Sequence, residues 1–314
     1  MTRIVAIGGG HGLSRVLLAC RRLEVPPTAI VTVADDGGSS GRLRRDLGII
    51  ALGDLRMALL ALARDRTLAD LLGHRFAQGD LQGHALGNLV LLALSERSGG
   101  DVLSALRGAE GLLRCEGSVL PSTTIPVQLS ARIAGQRVEG QANVTASSGR
   151  FDDLWLDPRD PPACPEALDA IAAADVVILG PGSLFTSVIA NLLVPDVRRA
   201  VSNSRARLVH VANVQAPPGE SAEMSLADHI RWLEDVLDGR RLDTVIVHDG
   251  PPPAGRGAPL RPGRGFAAGR VVAGDLLSRD DDGNVGRAHD PAKLAAVLAK
   301  VVLAAPASTA SRAP

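Results

Sequence analysis

Three glycine-rich stretches carry most of the polar groups that could do chemistry in this sequence. Gly8-Gly9-Gly10-His11-Gly12 stands between a β-branched run and an apolar helical repeat. Backbone N–H groups at such a helix N-terminus favour an anion such as phosphate, and Gly9, Gly10 and Gly12 let the backbone approach it closely. A tight turn without a ligand uses the same residues. The strict G-x-G-x-x-G fingerprint fails, because Leu13 or Arg15 stands where the third glycine belongs. A nicotinamide-dependent oxidoreductase therefore rests on the glycine turn alone.

The second stretch is Asp35-Asp36-Gly37-Gly38-Ser39-Ser40-Gly41-Arg42, with Arg44 and Arg45 beyond it. A carboxylate about 20 residues past the first turn can accept ribose hydroxyls, while Ser39, Ser40 and Arg42 can hold phosphate oxygens. Asp35 and Asp36 equally offer hard oxygen ligands to Mg²⁺, and a solvated turn that caps a helix is the plain alternative. The third stretch, Gly180-Pro181-Gly182-Ser183-Leu184-Phe185-Thr186-Ser187, follows the most apolar run. Gly182, Ser183 and Thr186 form a second candidate anion site there, or the hydroxyls only cap the helix.

Weaker candidates accompany these. Gly53-Asp54 opens a helix, with the aspartate read as its N-cap, and Gly83-His84-Ala85-Leu86-Gly87-Asn88 opens another. His84 and Asn88 are polar groups at that start, although a lone histidine is more often structural. Asn213 and Glu220 follow a predicted strand on the same edge as the other loops, where Glu220 is a base, a ligand or a solvated loop residue. No H-x-x-x-H pair and no G-x-S-x-G elbow occurs, which disfavours zinc and serine hydrolases. Cys20, Cys115 and Cys164 are widely spaced, arguing against a disulfide framework and a structural zinc.

The elements that position these groups follow from hydrophobic spacing. Short apolar runs at residues 4–7, 30–34, 176–179, 208–212 and 244–247 alternate with helical patterns. This alternation predicts an α/β fold with right-handed βαβ crossovers and a mainly parallel sheet between helices. Residues 126–133 and 136–144 flank Ala134-Gly135 and predict an inserted antiparallel hairpin. Helices are expected over 54–63 and 86–95. Leu226, Ile230, Leu233 and Leu237 mark another, opened by a Ser225/Asp228 capping box. Residues 251–269 read as a surface loop, and 304–314 as a disordered tail after a single domain over 1–303.

With 314 residues the chain buries a sizeable core, and its 34 basic and 34 acidic residues cancel. No global field therefore draws in nucleic acid or anionic lipid, and any phosphate affinity must be local. Four phenylalanines, two tryptophans and no tyrosine leave little to stack bases on. No apolar run is long enough for a signal peptide or a membrane span, so a cytoplasmic protein is expected.

Taken in order, the glycine turn at Gly8, Asp35 to Gly41, Gly53-Asp54, Gly83-His84 with Leu86-Gly87-Asn88, Leu120-Pro121, Gly180 to Ser187, and Pro218-Gly219-Glu220 with Asp228-His229 resemble the CofD-like gluconeogenesis factor family. The resemblance runs from about residue 3 to 303. It implies a Rossmann-like three-layer α/β/α fold similar to that of 2-phospho-L-lactate transferase. It also implies a regulator that needs no cofactor and binds a UDP-sugar, notably UDP-N-acetylglucosamine, in cell-wall precursor supply and cell shape during gluconeogenic growth. A protein partner in that synthesis and a homo-oligomer fit the same picture. A phosphotransferase is the alternative, in which Asp35 or Asp36 would hold Mg²⁺ or deprotonate the acceptor, and Arg42 would stabilise transferred charge. The family pattern has asparagine where this chain has Met57 and serine where it has Ala85. It also draws a C-terminal tyrosine and arginine to the nucleotide-sugar; only Arg287 stands near that position here.

Overall fold

The computed structural model describes residues 2–254, 257, 259–263, 269–279 and 284–302. Its strands are β1 (Ile4–Gly8), β2 (Pro27–Val31), β3 (Ser118–Pro121), β4 (Gln128–Ile133), β5 (Gln136–Glu139), β6 (Phe151–Asp157), β7 (Val176–Leu179), β8 (Arg207–Val211), β9 (Thr244–His248), β10 (Arg270–Gly274), β11 (Leu277–Arg279) and β12 (Val285–His289). Seven of them form one parallel sheet in the order β3-β2-β1-β7-β8-β9-β10. Buried on both faces, β1 and β7 are apolar without alternation, as in the wholly buried run Val176-Val177-Ile178-Leu179.

From β1 the chain builds the sheet outward through β2 to β3, then returns to β7 and builds the other way. Right-handed crossovers in opposite directions place helices on opposite faces. The helix Gly10–Arg22 packs between Gly53–Leu62 and Pro291–Val302, while Pro165–Ala173 packs with Pro195–Asn203. The α/β sandwich expected from the sequence is thus present, and β1 and β7 mark its topological switch point.

Strands β4, β5 and β6 form a separate antiparallel sheet. Its tight turn is at Ala134-Gly135, both at positive φ (47° and 79°), the geometry of a primed hairpin turn. The hairpin is shorter than expected. Gly140, at φ 90°, ends β5, and residues Gln141–Ala146 form a short helix instead of continuing the strand. Strand β2 also starts three residues earlier than the apolar run implies, at Pro27, so that Asp35 and Asp36 fall in the loop beyond it. The Ser225/Asp228 capping box is formed as read. Of the loop 251–269, residues 255, 256, 258 and 264–268 lie outside the described residues, as does the tail 304–314. Among the described residues no helix is long and apolar enough to cross a membrane.

Candidate functional site

A cavity of about 530 Å³ opens at the carboxyl ends of β1 and β7. Its size is that of a small-molecule site, and its place is the switch-point crevice where doubly wound sheets bind ligands. The loops after β1, β2, β7 and β8 supply its walls, with the start of the short helix Gln141–Ala146 and the end of β12.

Gly9, Gly10 and Gly12 all line it, but each is glycine for its own reason. Gly10 opens the helix at φ 58°, a left-handed conformation that costs other residues. A Cβ on Gly9 would run into the Asp54 carboxylate, and one on Gly12 into the Pro181 carbonyl. The β1 turn is therefore shaped by what packs against it, and its N–H groups remain at the cavity edge.

Asp35 and Asp54 stand together on the same wall. Asp35 accepts the Gly37 N–H at 3.0 Å and a hydrogen bond from Ser40; burial, with Asp36 nearby, raises its pKa above the ordinary carboxylate range. Asp54 is not the N-cap expected of it, since Leu52 occupies that position. Its carboxylate is turned into the cavity, where it accepts the Gly10 N–H, and burial followed by the Asp35 charge pushes its pKa up to about 7. Two carboxylates that burial pushes toward the protonated form, side by side, are poised to share a proton, a hydroxyl or a cation.

Gly182, Ser183 and Asn213 line the opposite wall together with Ser187. Asn213 clamps the β7 turn at two points, accepting the Gly182 N–H at 3.0 Å and donating to the Gly182 carbonyl at 2.8 Å. After Ser183 the chain winds into a π-helical turn, Leu184–Ile189, which carries Thr186 away from the cavity. Thr186 is 1% exposed; its hydroxyl accepts from Thr145 at 3.2 Å and hydrogen-bonds Glu220.

Glu220 is likewise buried behind the wall. It accepts the Phe185 N–H at 3.0 Å, its own N–H donates to the Thr145 carbonyl, and burial pushes its pKa up to about 7. It thus ties three walls together from behind. The folded protein holds a proton on Glu220 that the unfolded chain releases near its ordinary value of 4.5, so this residue withdraws stability as pH rises from about 4.5 to 7. Glu220→Gln is accordingly expected to gain on the parent by about 2–3 kcal/mol between pH 5 and pH 8, read by urea unfolding at both pH values.

The remaining predicted residues do not line the cavity. Asp36 accepts the Ala142 N–H at 2.9 Å, fastening the short helix to the β2 loop. Arg42 donates to the Gln82 carbonyl at 2.6 Å. Ser39, buried, accepts from the Asn88 amide at 3.0 Å and lies 3.2 Å from His84 Nδ1, so Ser39, His84 and Asn88 form one cluster beneath the neighbouring loop. Ser40 stands behind Asp35. Asp36, Ser39, Ser40, Arg42, His84, Asn88, Thr186 and Glu220 thus hold the loops whose neighbours face the ligand space.

Conversely, His11, Arg15, Gln141, Ser187, Gln215, Arg287 and His289 line the cavity. Neither Arg15 nor Arg287 pairs with a carboxylate among the described residues, which leaves two cations facing the space. The His289 ring nitrogen lies 3.2 Å from the Ala212 carbonyl, and burial lowers its pKa to about 4, so it is neutral. Asn191, fully buried, donates to the carbonyls of Gly8 (3.0 Å) and Ser187 (2.8 Å), joining the β1 and β7 turns. The sequence offered two signals: Arg15 lies one helical turn past the glycines, on the face that Gly12 begins, and Arg287 stands near the family's C-terminal arginine.

The chain matches the family description 2-phospho-L-lactate transferase CofD over residues 4–259. It is 41% identical over 249 residues to the gluconeogenesis factor of Bacillus subtilis, covering 78% of each chain. A Mycobacterium tuberculosis relative, provisionally given the same name, is 42% identical over 312 residues, covering 94% of this chain and 89% of its own. Among solved structures, a member of the UPF0052 family from Bacillus halodurans superposes with a TM-score of 0.87 at 34% identity, covering 95% of this chain and all of the other.

Proposed function

Because the chain belongs to the CofD family, we propose that it is a cytoplasmic gluconeogenesis factor that binds a nucleotide-sugar, UDP-N-acetylglucosamine or a close relative, at the switch-point cavity. In this role it would govern cell-wall precursor supply and cell shape during gluconeogenic growth, acting through a protein partner. The observation that carries the ligand class is the polarity of the cavity. Two carboxylates stand on one wall, while a glycine turn, a helix N-terminus, Ser183, Ser187, Arg15 and Arg287 supply donors around the rest. Sugar and ribose hydroxyls suit the carboxylates, and a diphosphate suits the N–H groups and arginines.

Calorimetric titration with UDP-N-acetylglucosamine tests this directly. Ser183→Ala is expected to weaken binding by roughly tenfold or more, the loss of one hydrogen bond to a charged oxygen. Absence of heat with every UDP-sugar would refute the ligand class.

A second reading, phosphotransfer from a nucleotide donor to an alcohol, is favoured by the Asp35–Asp54 pair. The Mg²⁺ that such chemistry implies fits this pair better than Asp35 with Asp36, because Asp36 is committed to Ala142 and a dication would offset the burial and the Asp35 charge that raise Asp54. When bound, the metal would neutralise charge on the transferred group. Where Asp35 alone held the metal, Asp54 would take up the acceptor's proton; Arg15 or Arg287, rather than Arg42, would face the phosphoryl oxygens. Metal-dependent release of free nucleotide would establish it; no turnover across a range of nucleotide donors would leave binding alone.

A further inference from the structure

Four polar side chains run in one hydrogen-bonded row from the ligand space to a buried carboxyl behind the wall. Gln141, which lines the cavity, donates its amide nitrogen to Thr145 Oγ1 at 3.3 Å; Thr145 donates to Thr186 Oγ1 at 3.2 Å, and the Thr186 hydroxyl reaches Glu220. Glu220 ends the row. Its Oε1 accepts the Phe185 N–H at 3.0 Å, the Thr186 N–H also reaches the carboxyl, and Oε2 has no partner.

The direction of the row follows from its protons. A carboxyl that meets three donors accepts from them, whether it is charged or carries a proton on Oε2. Thr186 therefore spends its single hydroxyl proton on Glu220, Thr145 spends its own on Thr186, and Thr145 can only accept from Gln141. Only an amide nitrogen can donate there. The Gln141 amide is thus held with Nε2 turned to Thr145, and Oε1, which accepts no hydrogen bond among the described residues, is the atom it offers the cavity.

The short helix that carries Gln141 is fastened beside the Asp35 wall. Asp36 accepts the Ala142 N–H at 2.9 Å, and a Cβ on Gly140 would run into the Asp36 carboxylate, so Gln141 lies between two contacts with the neighbour of Asp35. Asp35 and Asp54 can each accept a hydrogen bond or, once protonated, donate one; an amide carbonyl only accepts. We propose that Gln141 is a specificity-determining residue that reads a hydrogen-bond donor on the hexose of the nucleotide-sugar, and that Thr145, acting through it, is the positioning residue that keeps the amide in this orientation. Both roles rest on the nucleotide-sugar reading of the cavity. A hexose hydroxyl and an acetamido N–H offer the same chemistry to this acceptor.

Calorimetric titration with UDP-N-acetylglucosamine and with UDP, which lacks the hexose, provides the test. The parent protein is expected to bind the sugar-bearing ligand more tightly. Gln141→Leu should reduce that preference by about fivefold to tenfold, the worth of one neutral hydrogen bond, and leave the affinity for UDP unchanged. Thr145→Val, which keeps the shape and removes the hydroxyl, should reduce the preference by about threefold, and Thr145→Ser should retain the parent value. UDP-glucose identifies the donor: a loss shared by both sugars marks a hydroxyl, and a loss confined to UDP-N-acetylglucosamine marks the acetamido N–H. A parent that binds UDP-sugars with a preference untouched by Gln141→Leu and Thr145→Val, or variants that weaken UDP as much as the sugar-bearing ligand, would overturn these roles alone. A parent that binds no UDP-sugar removes the nucleotide-sugar reading and these roles with it. Should Gln141→Leu fail to fold, Thr145→Val against Thr145→Ser decides the matter.

Discussion

Asp54→Asn is expected to make the empty protein more stable above neutral pH while weakening its ligand by roughly 10–100-fold. The two effects have one cause, a carboxylate held in the cavity wall against burial and against Asp35. In the unfolded chain this group titrates near 3.8, and in the folded protein near 7. Between these values the folded state keeps a proton that the unfolded state has lost, so stability falls as pH rises from about 4 to 7 and stays low above it. Asparagine has no charge to bury and can still accept the Gly10 N–H. The full shift corresponds to roughly 4 kcal/mol; discounted for the open side of the cavity, a gain of about 2–3 kcal/mol at pH 8 is expected, vanishing below about pH 4. The affinity loss follows from replacing a charged acceptor for ligand hydroxyls with a neutral one. Urea unfolding at two pH values and calorimetry read the two effects separately. Equal stability of the two proteins at pH 8 would mean that Asp54 is not held as described.

Gly12→Ala should act in the opposite direction, against the usual expectation for a helix. Alanine is better than glycine inside a helix by about 1 kcal/mol, and Gly12 is the third residue of the helix Gly10–Arg22. Yet the new methyl would be aimed at the Pro181 carbonyl and would lie 2.9 Å from Gly182 Cα. Both are backbone, which cannot swing aside as a long side chain does. We expect a net loss of about 2–4 kcal/mol and a loss of ligand binding, because the two turns pushed apart are the two walls that meet at the switch point. Gly111→Ala, in the helix Val102–Leu113 with open space around its Cβ, is the control and should stabilise by about 0.5–1 kcal/mol. Destabilisation by Gly111→Ala, or stabilisation by Gly12→Ala, would contradict this account of the turn contact.

Aromatic packing shows how much of the cavity's rigidity is built behind it. Phe185 stacks on Phe151 of the antiparallel insert at 4.1 Å between centroids and meets Trp232 edge-on at 5.0 Å. In a chain with six Phe and Trp residues in all, three of them join the insert, the π-helical turn and the helix Leu226–Val236 at one point. Glu220 adds the polar part of the same junction by accepting the Phe185 N–H. The wall that presents Ser183 and Ser187 is therefore braced by both.

The sequence by itself determined the parallel sheet, the loops on its carboxyl edge and the family, since each rests on a local property. A run such as Val176-Val177-Ile178-Leu179 can only be buried on both faces, and glycine next to such a run can only be a turn. What it could not determine was the direction of each polar side chain within those loops. Asp35 and Asp36 are neighbours, yet one faces the cavity and the other fastens a helix more than 100 residues away. Ser183 and Thr186 are three residues apart, yet the π-helical turn points one to the ligand space and the other to Glu220. Asp54 resembles an N-cap in any local reading, and becomes a cavity carboxylate only because Gly10 is brought against it. These outcomes depend on partners supplied by remote segments, and only the tertiary structure decides which buried donor each acceptor must satisfy.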